Sequence, residues 1–205
     1  MRDGSDGGQP RTSRGERTRL RLLDATREAV AAHGYVAARV EDIVALAGVS
    51  HGTFYTYFEN KAAALDALIG TTAAELQAVV DEPWDGPDGA VTIETVIGRF
   101  VAVFATHAAV VRAWLEASAH DAHFAERLRE VRGGYVRRVA EVLTPGLAGT
   151  DHDPSLAASA LVAMVEGAVT QGVVDRDEIE QGELVRTLRS LWIGGVVRLG
   201  EDVER

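Results

Sequence analysis

The chain contains no cysteine, only five prolines, and a single lysine, Lys61, among its 21 basic residues. Without thiols there is neither a disulfide framework nor a thiolate zinc site. The prolines, Pro10, Pro83, Pro87, Pro145 and Pro154, all lie outside the segments of helical spacing, so nothing breaks a helix between residues 11 and 82. No apolar run approaches the roughly 18–20 residues needed to span a bilayer. The opening MRDGSDGGQP lacks the apolar stretch of a signal peptide, and residues 1–13 read as a flexible tail. A cytoplasmic protein with no membrane partner is the expectation. Gly-rich phosphate loops, nucleophile elbows and metalloprotease motifs are missing as well. That leaves no catalytic constellation and no cofactor signature, and a chain expected not to be an enzyme.

Positive charge is scarce overall, with a net charge of −10, but it is unevenly spread. Residues 9–61 carry 8 basic and 6 acidic side chains, whereas residues 62–205 carry 12 basic and 23 acidic ones. Arg11, Arg14, Arg17, Arg19 and Arg21 face only Glu16 within their segment. Such asymmetry suggests a small part that meets a polyanion and a larger acidic part with another task. A solvated basic helix start reads equally well from charge alone.

Apolar spacing is helical throughout, with no convincing strand alternation, and predicts an all-α fold of about nine helices. The first helix starts near Arg14 and ends at His33-Gly34, with Leu22, Leu23, Thr26, Ala29 and Val30 inward. A second places Val40, Ile43, Val44 and Ala47 at i, i+3, i+4 and i+7. Gly48 ends it, and Ser50 is a suitable N-cap for a third. A fourth runs from Lys61 to Val80, and the Pro/Gly-rich DEPWDGPDG (81–89) and TPGLAGTDHDP (144–154) look like linkers. The fifth helix is marked by Ile93, Ile97, Phe100 and Phe104; residues 108–119, 121–143, 154–173 and 183–199 supply the last four. The polar stretch 174–183 separates the final pair.

The second and third segments, VEDIVALAGVSHGTFYTYF, form a helix-turn-helix pattern. Phe54 and Phe58 stand one turn apart and anchor the third helix from inside. Ser50, His51, Thr53, Tyr55, Thr56 and Tyr57 are left toward the outside or rim as a hydrogen-bonding surface. Gly52 lets backbone approach a bulky partner. In such a motif the second helix enters the major groove with its N-terminal residues nearest the bases.

From Arg17 to Leu68 the chain resembles the N-terminal DNA-binding domain of TetR/AcrR-type transcriptional regulators. The features that carry the resemblance are HGY (33–35), then VEDIVALAGVS, then HGTFYTYFENK leading into the fourth helix. It implies double-stranded DNA as a partner, approached by Ser50, His51, Gly52, Thr53, Tyr55, Thr56, Tyr57 and Lys61. It further implies that Tyr55 and Tyr57 meet phosphates or thymine methyls and that Lys61 meets a phosphate. A lysine at a helix N-terminus opposes the macrodipole, a conflict that an outside anion would resolve. Two positions depart from the family pattern. Arg39 stands where Ser or Thr usually caps the second helix, and could itself reach a phosphate. Ala64 stands where leucine is usual, with Leu65 next.

The implied organisation is a DNA-binding domain over residues 14–61 and a ligand-binding and dimerisation domain over 62–205. Similar regulators dimerise through their last two helices and hold a small-molecule pocket in the middle ones. For the dimer seam the candidates are Ala160, Met164, Gly167, Leu188, Leu191, Trp192 and Gly195, small residues interleaved with bulky ones; an intramolecular core is the alternative. Candidate pocket lining is Phe100, Phe104, Trp114, Phe124 and Met164, with Glu116, His120 or Glu166 as polar anchors. Each could equally be ordinary core. His120 and His123 could share a helix face near His107 and Asp121, but with no clear third and fourth ligand no metal site is expected.

Together these features predict a homodimeric transcriptional repressor released from a pseudopalindromic operator by a small-molecule effector. An effector-independent regulator or activator is the first alternative. A small-molecule-binding protein or enzyme with a vestigial helix-turn-helix is the second.

Overall fold

In the computed structural model, residues 14–84, 89–174 and 180–201 are described. The expected tail 1–13, residues 85–88 of the first linker and 175–179 of the polar stretch lie outside them. The described residues form nine α-helices and no strand. These are α1 (Arg14–Ala37), α2 (Val40–Ala47), α3 (His51–Tyr57), α4 (Lys61–Val80) and α5 (Gly89–Thr106). They continue with α6 (Ala108–Ser118), α7 (Ala122–Leu143), α8 (Pro154–Val169), a π-helical turn (Thr170–Val174) and α9 (Gln181–Glu201).

Capping chemistry sets the early boundaries. Inside α1 the helical dihedrals break at Gly34, with φ 74° and ψ 170°, a left-handed φ that glycine adopts without a Cβ penalty. The chain turns there and re-enters as α2. Gly48, also left-handed, closes α2 by donating its N–H toward the carbonyls of Val44 and Ala45. The Ser50 hydroxyl accepts from Thr53 N–H at 3.1 Å and starts α3. Asn60 starts α4 in the same way, accepting from Ala63 N–H at 2.9 Å.

Two hydrophobic clusters result, and α4 belongs to both. Its N-terminal half gives Ala64, Leu65, Leu68, Ile69 and Ala73 to the first, with the inner face of α1, α2, Phe54, Phe58, Trp114 and Phe124. The far end of α4 gives Leu76, Val79 and Val80 to the second, built with α5, α7, α8 and α9 around Phe100, Phe104, Tyr135, Val165 and Trp192. By length and composition α4 is apolar enough to cross a membrane, yet half of it is buried within the protein. Its apolar character is that of a helix with neighbours on several sides.

Several expectations are corrected by this packing. Leu188 and Trp192 face inward at 2% and 4% exposure and belong to the subunit's own core, not to an outer seam. Phe124 is fully buried in the first cluster. Trp84, read as linker, packs on Trp192 with ring centroids 6.0 Å apart and donates its Nε1–H to the Val80 carbonyl at 3.1 Å. The α-helical part of α8 ends at Val169 rather than at 173, the remainder being the π turn.

Gly34 offers a direct check on the turn. A Cβ there would lie 2.9 Å from the Glu116 carboxylate and would demand an unfavourable φ. Gly34→Ala is expected to lower unfolding stability by about 1–3 kcal/mol in chemical denaturation. Adding Glu116→Ala should relieve only the steric part of that loss.

Candidate nucleic-acid interface and inner clefts

Helix α3 is short, and its orientation comes from two aromatic anchors. Phe54 is fully buried and Phe58 nearly so, their rings 5.8 Å apart. On the opposite side His51, Gly52, Tyr55 and Thr56 are exposed, as is Ser50 before them, while Thr53 and Tyr57 are half-buried. Tyr55 is 56% exposed, its ring edge-on to Phe54 at 5.5 Å. Tyr57 packs partly against the first cluster, so it sits at the rim of the exposed face. Ser50 and Thr53 share a hydrogen bond of 3.0 Å between their hydroxyls, and Thr56 donates to the Gly52 carbonyl at 2.9 Å. These contacts hold the hydroxyls in place on a surface that can still donate and accept. His51 lies 3.5 Å from the Glu41 carboxylate, both exposed, a pair of little energetic weight.

Two arginines of α1, Arg19 and Arg21, touch the helix-turn-helix. Arg14, Arg17, Arg19 and Arg21 of α1 are exposed, as is Arg39. Arg21 donates to the Ala47 carbonyl and pins the end of α2. The Arg19 guanidinium lies 5.6 Å over the Phe58 ring, a cation–π contact that ties α1 to α3. At Arg39 the backbone N–H donates to the Asp42 carboxylate at 2.9 Å, the half of a capping box that the third helical residue supplies.

Lys61 is placed differently from the phosphate contact that the family resemblance implies. Its ammonium donates to the carbonyls of Tyr35, Val36 and Ala38 at 2.8, 3.0 and 2.8 Å and lies 4.7 Å from the Tyr35 ring centre. An ammonium has three N–H donors, and all three are engaged by the turn between α1 and α2. Burial lowers the Lys61 pKa; the Glu116 charge opposes that shift and Arg39 adds to it. The local conflict with the α4 dipole is thus met from inside the protein, by the carbonyls at the end of α1.

Glu116, expected as a ligand anchor, grips the same turn from α6. Its carboxylate accepts from Tyr35 N–H at 2.6 Å and Val36 N–H at 3.1 Å. The Tyr35 ring meets Phe124 edge-on at 5.7 Å, and the Phe124 carbonyl accepts from Trp114 Nε1–H at 3.1 Å. Burial raises the Tyr35 pKa, with Asp121 adding to it. Glu116, Tyr35, Lys61 and Phe124 therefore form one joint between the helix-turn-helix and α6–α7. Nothing in the spacing of Glu116, 81 residues from Tyr35, could have shown this.

The remaining pocket candidates divide. Phe100 lines a first narrow cleft of about 40 Å³, walled also by Trp84, Val139, Val165 and Trp192. Phe104 and Trp114 line a second of about 40 Å³, with Val111, Leu128, Arg132 and Thr170. Glu166 and Tyr135 border both. His120 is exposed and borders neither; Met164 is half-buried beside them. Glu166 accepts from Arg132 Nε at 2.6 Å, and burial raises its pKa against the opposing effect of that arginine. Tyr135 stands at helical spacing from Leu128, Val131 and Val139 on α7, and that spacing does not mark its hydroxyl as distinct from ordinary core. Trp84 was hidden by the prolines and glycines around it.

Of the expected dimer residues, Ala160, Gly167, Leu191 and Gly195 lie on an exposed face of α8 and α9, with Met164 half-buried at its edge. Leu156 and Leu191 are 70% and 55% exposed there. A Cβ added at Gly167, Gly194 or Gly195 would meet nothing within 4 Å, so the backbone itself is open to approach. His107 pairs with Glu75 at 2.8 Å and His123 with Asp66 at 3.2 Å. No group of three or more His, Asp or Glu suited to a metal gathers among the described residues.

Residues 22–68 match the bacterial regulatory proteins of the tetR family, and residues 93–192 match the C-terminal region of BetI-type transcriptional repressors. The fatty acid metabolism regulator protein of Bacillus subtilis (strain 168) is 22% identical over 183 residues, 86% of this chain and 94% of that protein. The fatty acid degradation regulator FadR of Bacillus halodurans is similar in structure, with a TM-score of 0.67 and 25% identity, over 86% of this chain and 98% of that one. A transcriptional regulator from Rhodococcus sp. RHA1 gives a TM-score of 0.74 at 22% identity, over 88% and 96% of the two chains.

The place of Lys61 can be tested by separating stability from charge. Lys61→Met is expected to cost about 1–3 kcal/mol in unfolding, from three lost charge-assisted bonds at a partly exposed site. The slope of DNA affinity against salt should stay as in the parent protein. A slope reduced by about one would instead mark a lost phosphate contact.

Proposed function

The chain belongs to the TetR family of transcriptional regulators, and from that premise we propose that it is a homodimeric repressor released from its operator by a small-molecule effector. The observation that carries this reading is the Glu116 joint, a direct polar contact between the helix-turn-helix and the helices that border the inner clefts. Residues 14–61 present the DNA-facing surface, and residues 62–205 hold the effector and the second subunit. Ser50, His51, Gly52, Thr53, Tyr55 and Thr56 enter the major groove, with Tyr57 at the rim and Arg39 at the flanking phosphates. Lys61 positions the turn behind them.

Two copies meeting through the exposed face of α8 and α9 present two such helices to a pseudopalindrome. The effector acts by favouring a conformer in which those helices no longer match the half-site spacing, which requires that it bind the two conformers unequally. The relatives named for fatty acid metabolism and degradation make a fatty acid derivative the first class of effector to try, and the apolar first cleft suits one. A regulator of this kind works in the cytoplasm and catalyses no reaction.

Two substitutions separate the roles. Tyr55→Ala is expected to weaken binding to DNA from upstream of the chain's own gene by tenfold or more in mobility-shift assays, with the dimer intact in sedimentation. Leu191→Asp is expected to give folded monomers and to abolish the shift. A Leu191→Asp protein that still sediments as a dimer would refute the seam.

A further inference from the structure

Among the polar groups of the inner clefts, the Tyr135 hydroxyl stands alone. Tyr135 is 2% exposed, and its hydroxyl oxygen has no hydrogen-bond partner among the described residues. Buried hydroxyls are normally paired, and leaving one unpaired is costly. The ring is tightly held, edge-on to Phe100 at 5.6 Å, so the orphan group lies in well-packed surroundings. Tyr135, with Glu166, borders both clefts.

The nearby charges show which ligand group the hydroxyl can serve. Glu166 is 8% exposed and is held by Arg132, whose Nε–H donates to it at 2.6 Å. That pairing largely offsets the arginine's charge. Burial, with the Glu166 charge adding to it, raises the Tyr135 pKa, so the hydroxyl keeps its proton. A protonated phenol offers a donor. A carboxylate placed beside it would give up its water in a cleft whose nearby cation, Arg132, is already paired with Glu166, at considerable cost. An uncharged carbonyl oxygen loses far less on leaving water and accepts the waiting hydrogen bond.

Resting on the reading of the chain as an effector-responsive regulator, we propose that its effector is an uncharged carbonyl compound with an apolar body. Its carbonyl accepts from Tyr135 Oη, and its body lies in the cleft between Trp84, Phe100, Val165 and Trp192. Esters, thioesters and amides of apolar acids fit; the free acids do not. Both clefts are narrow as they stand, so the bound conformer holds α5 and α8 further apart. The π turn Thr170–Val174, with Thr170 at the border of the second cleft, is a break in regular helix of the kind found at functional sites.

The test uses the full chain with methyl dodecanoate and dodecanoate as matched probes. Binding would be followed by Trp84 and Trp192 fluorescence, and DNA release by mobility shift. The parent protein is expected to bind the ester at least tenfold more tightly than the anion. Tyr135→Phe should weaken ester binding by about three- to tenfold while raising the melting temperature of the free protein, because it removes an unpaired buried hydroxyl. Glu166→Gln should narrow the preference for ester over anion. The proposal fails, with the regulator reading intact, if dodecanoate binds better and releases DNA, or if Tyr135→Phe leaves both ester affinity and melting temperature unchanged. If neither probe binds, this proposal fails. If in addition no acyl compound releases a DNA that the protein otherwise binds, the effector reading fails with it.

Discussion

The structure depends on how one five-residue turn satisfies its backbone. The helical dihedrals of α1 break at Gly34, so several N–H and C=O groups between there and α2 lack helical partners. Glu116 takes two of the N–H groups and Lys61 takes three of the carbonyls. A carboxylate and an ammonium from distant parts of the chain thus complete the hydrogen bonding of a segment whose own backbone supplies only part of it, through Ala38 N–H to the Gly34 carbonyl. Charge-assisted bonds of this kind are the stronger sort. Gly34 is required because its left-handed φ turns the chain, and because a Cβ there would crowd the carboxylate.

That arrangement gives the helix-turn-helix its attachment to the remaining helices. The apolar contact beneath it is the first cluster, which reaches past the DNA-facing helices to include Val110, Ala113, Trp114, Ala117 and Phe124 of α6 and α7. Because α4 lies in both clusters, packing changes near Val80 share a rigid element with Lys61 at its other end. A polar joint above and a shared helix below make independent movement of the two halves costly, since packed cores deform in discrete rearrangements rather than continuously.

Much of this was readable from residue spacing. The inner face of α1 and the caps at Gly48 and Ser50 follow from local chemistry, and so does the start of α4 at Lys61. The division of Phe54 and Phe58 from Tyr55 follows from helical period alone. What could not be read were the partners of charged groups across long separations. Glu116 looked like a pocket residue and Lys61 like a DNA contact, because sequence places a charge on an element but does not say which distant backbone awaits it. The misplacement of Leu188 and Trp192 has a related cause. On α9 both helix faces carry apolar residues, so the stripe that packs inside and the stripe that stays exposed, with Leu191, cannot be separated without the neighbours.

The scarcity of lysine has a chemical consequence of its own. Every other basic side chain is arginine, which acylating reagents leave untouched under mild conditions, so the chain has one side-chain amine. That amine is tied to three carbonyls. Acylation needs the free lone pair of a released, deprotonated nitrogen, and so can proceed only in moments when the turn at 34–38 lets go. The rate at which Lys61 is labelled therefore measures how often the joint between the two halves opens, making the residue a built-in reporter that needs no engineered probe.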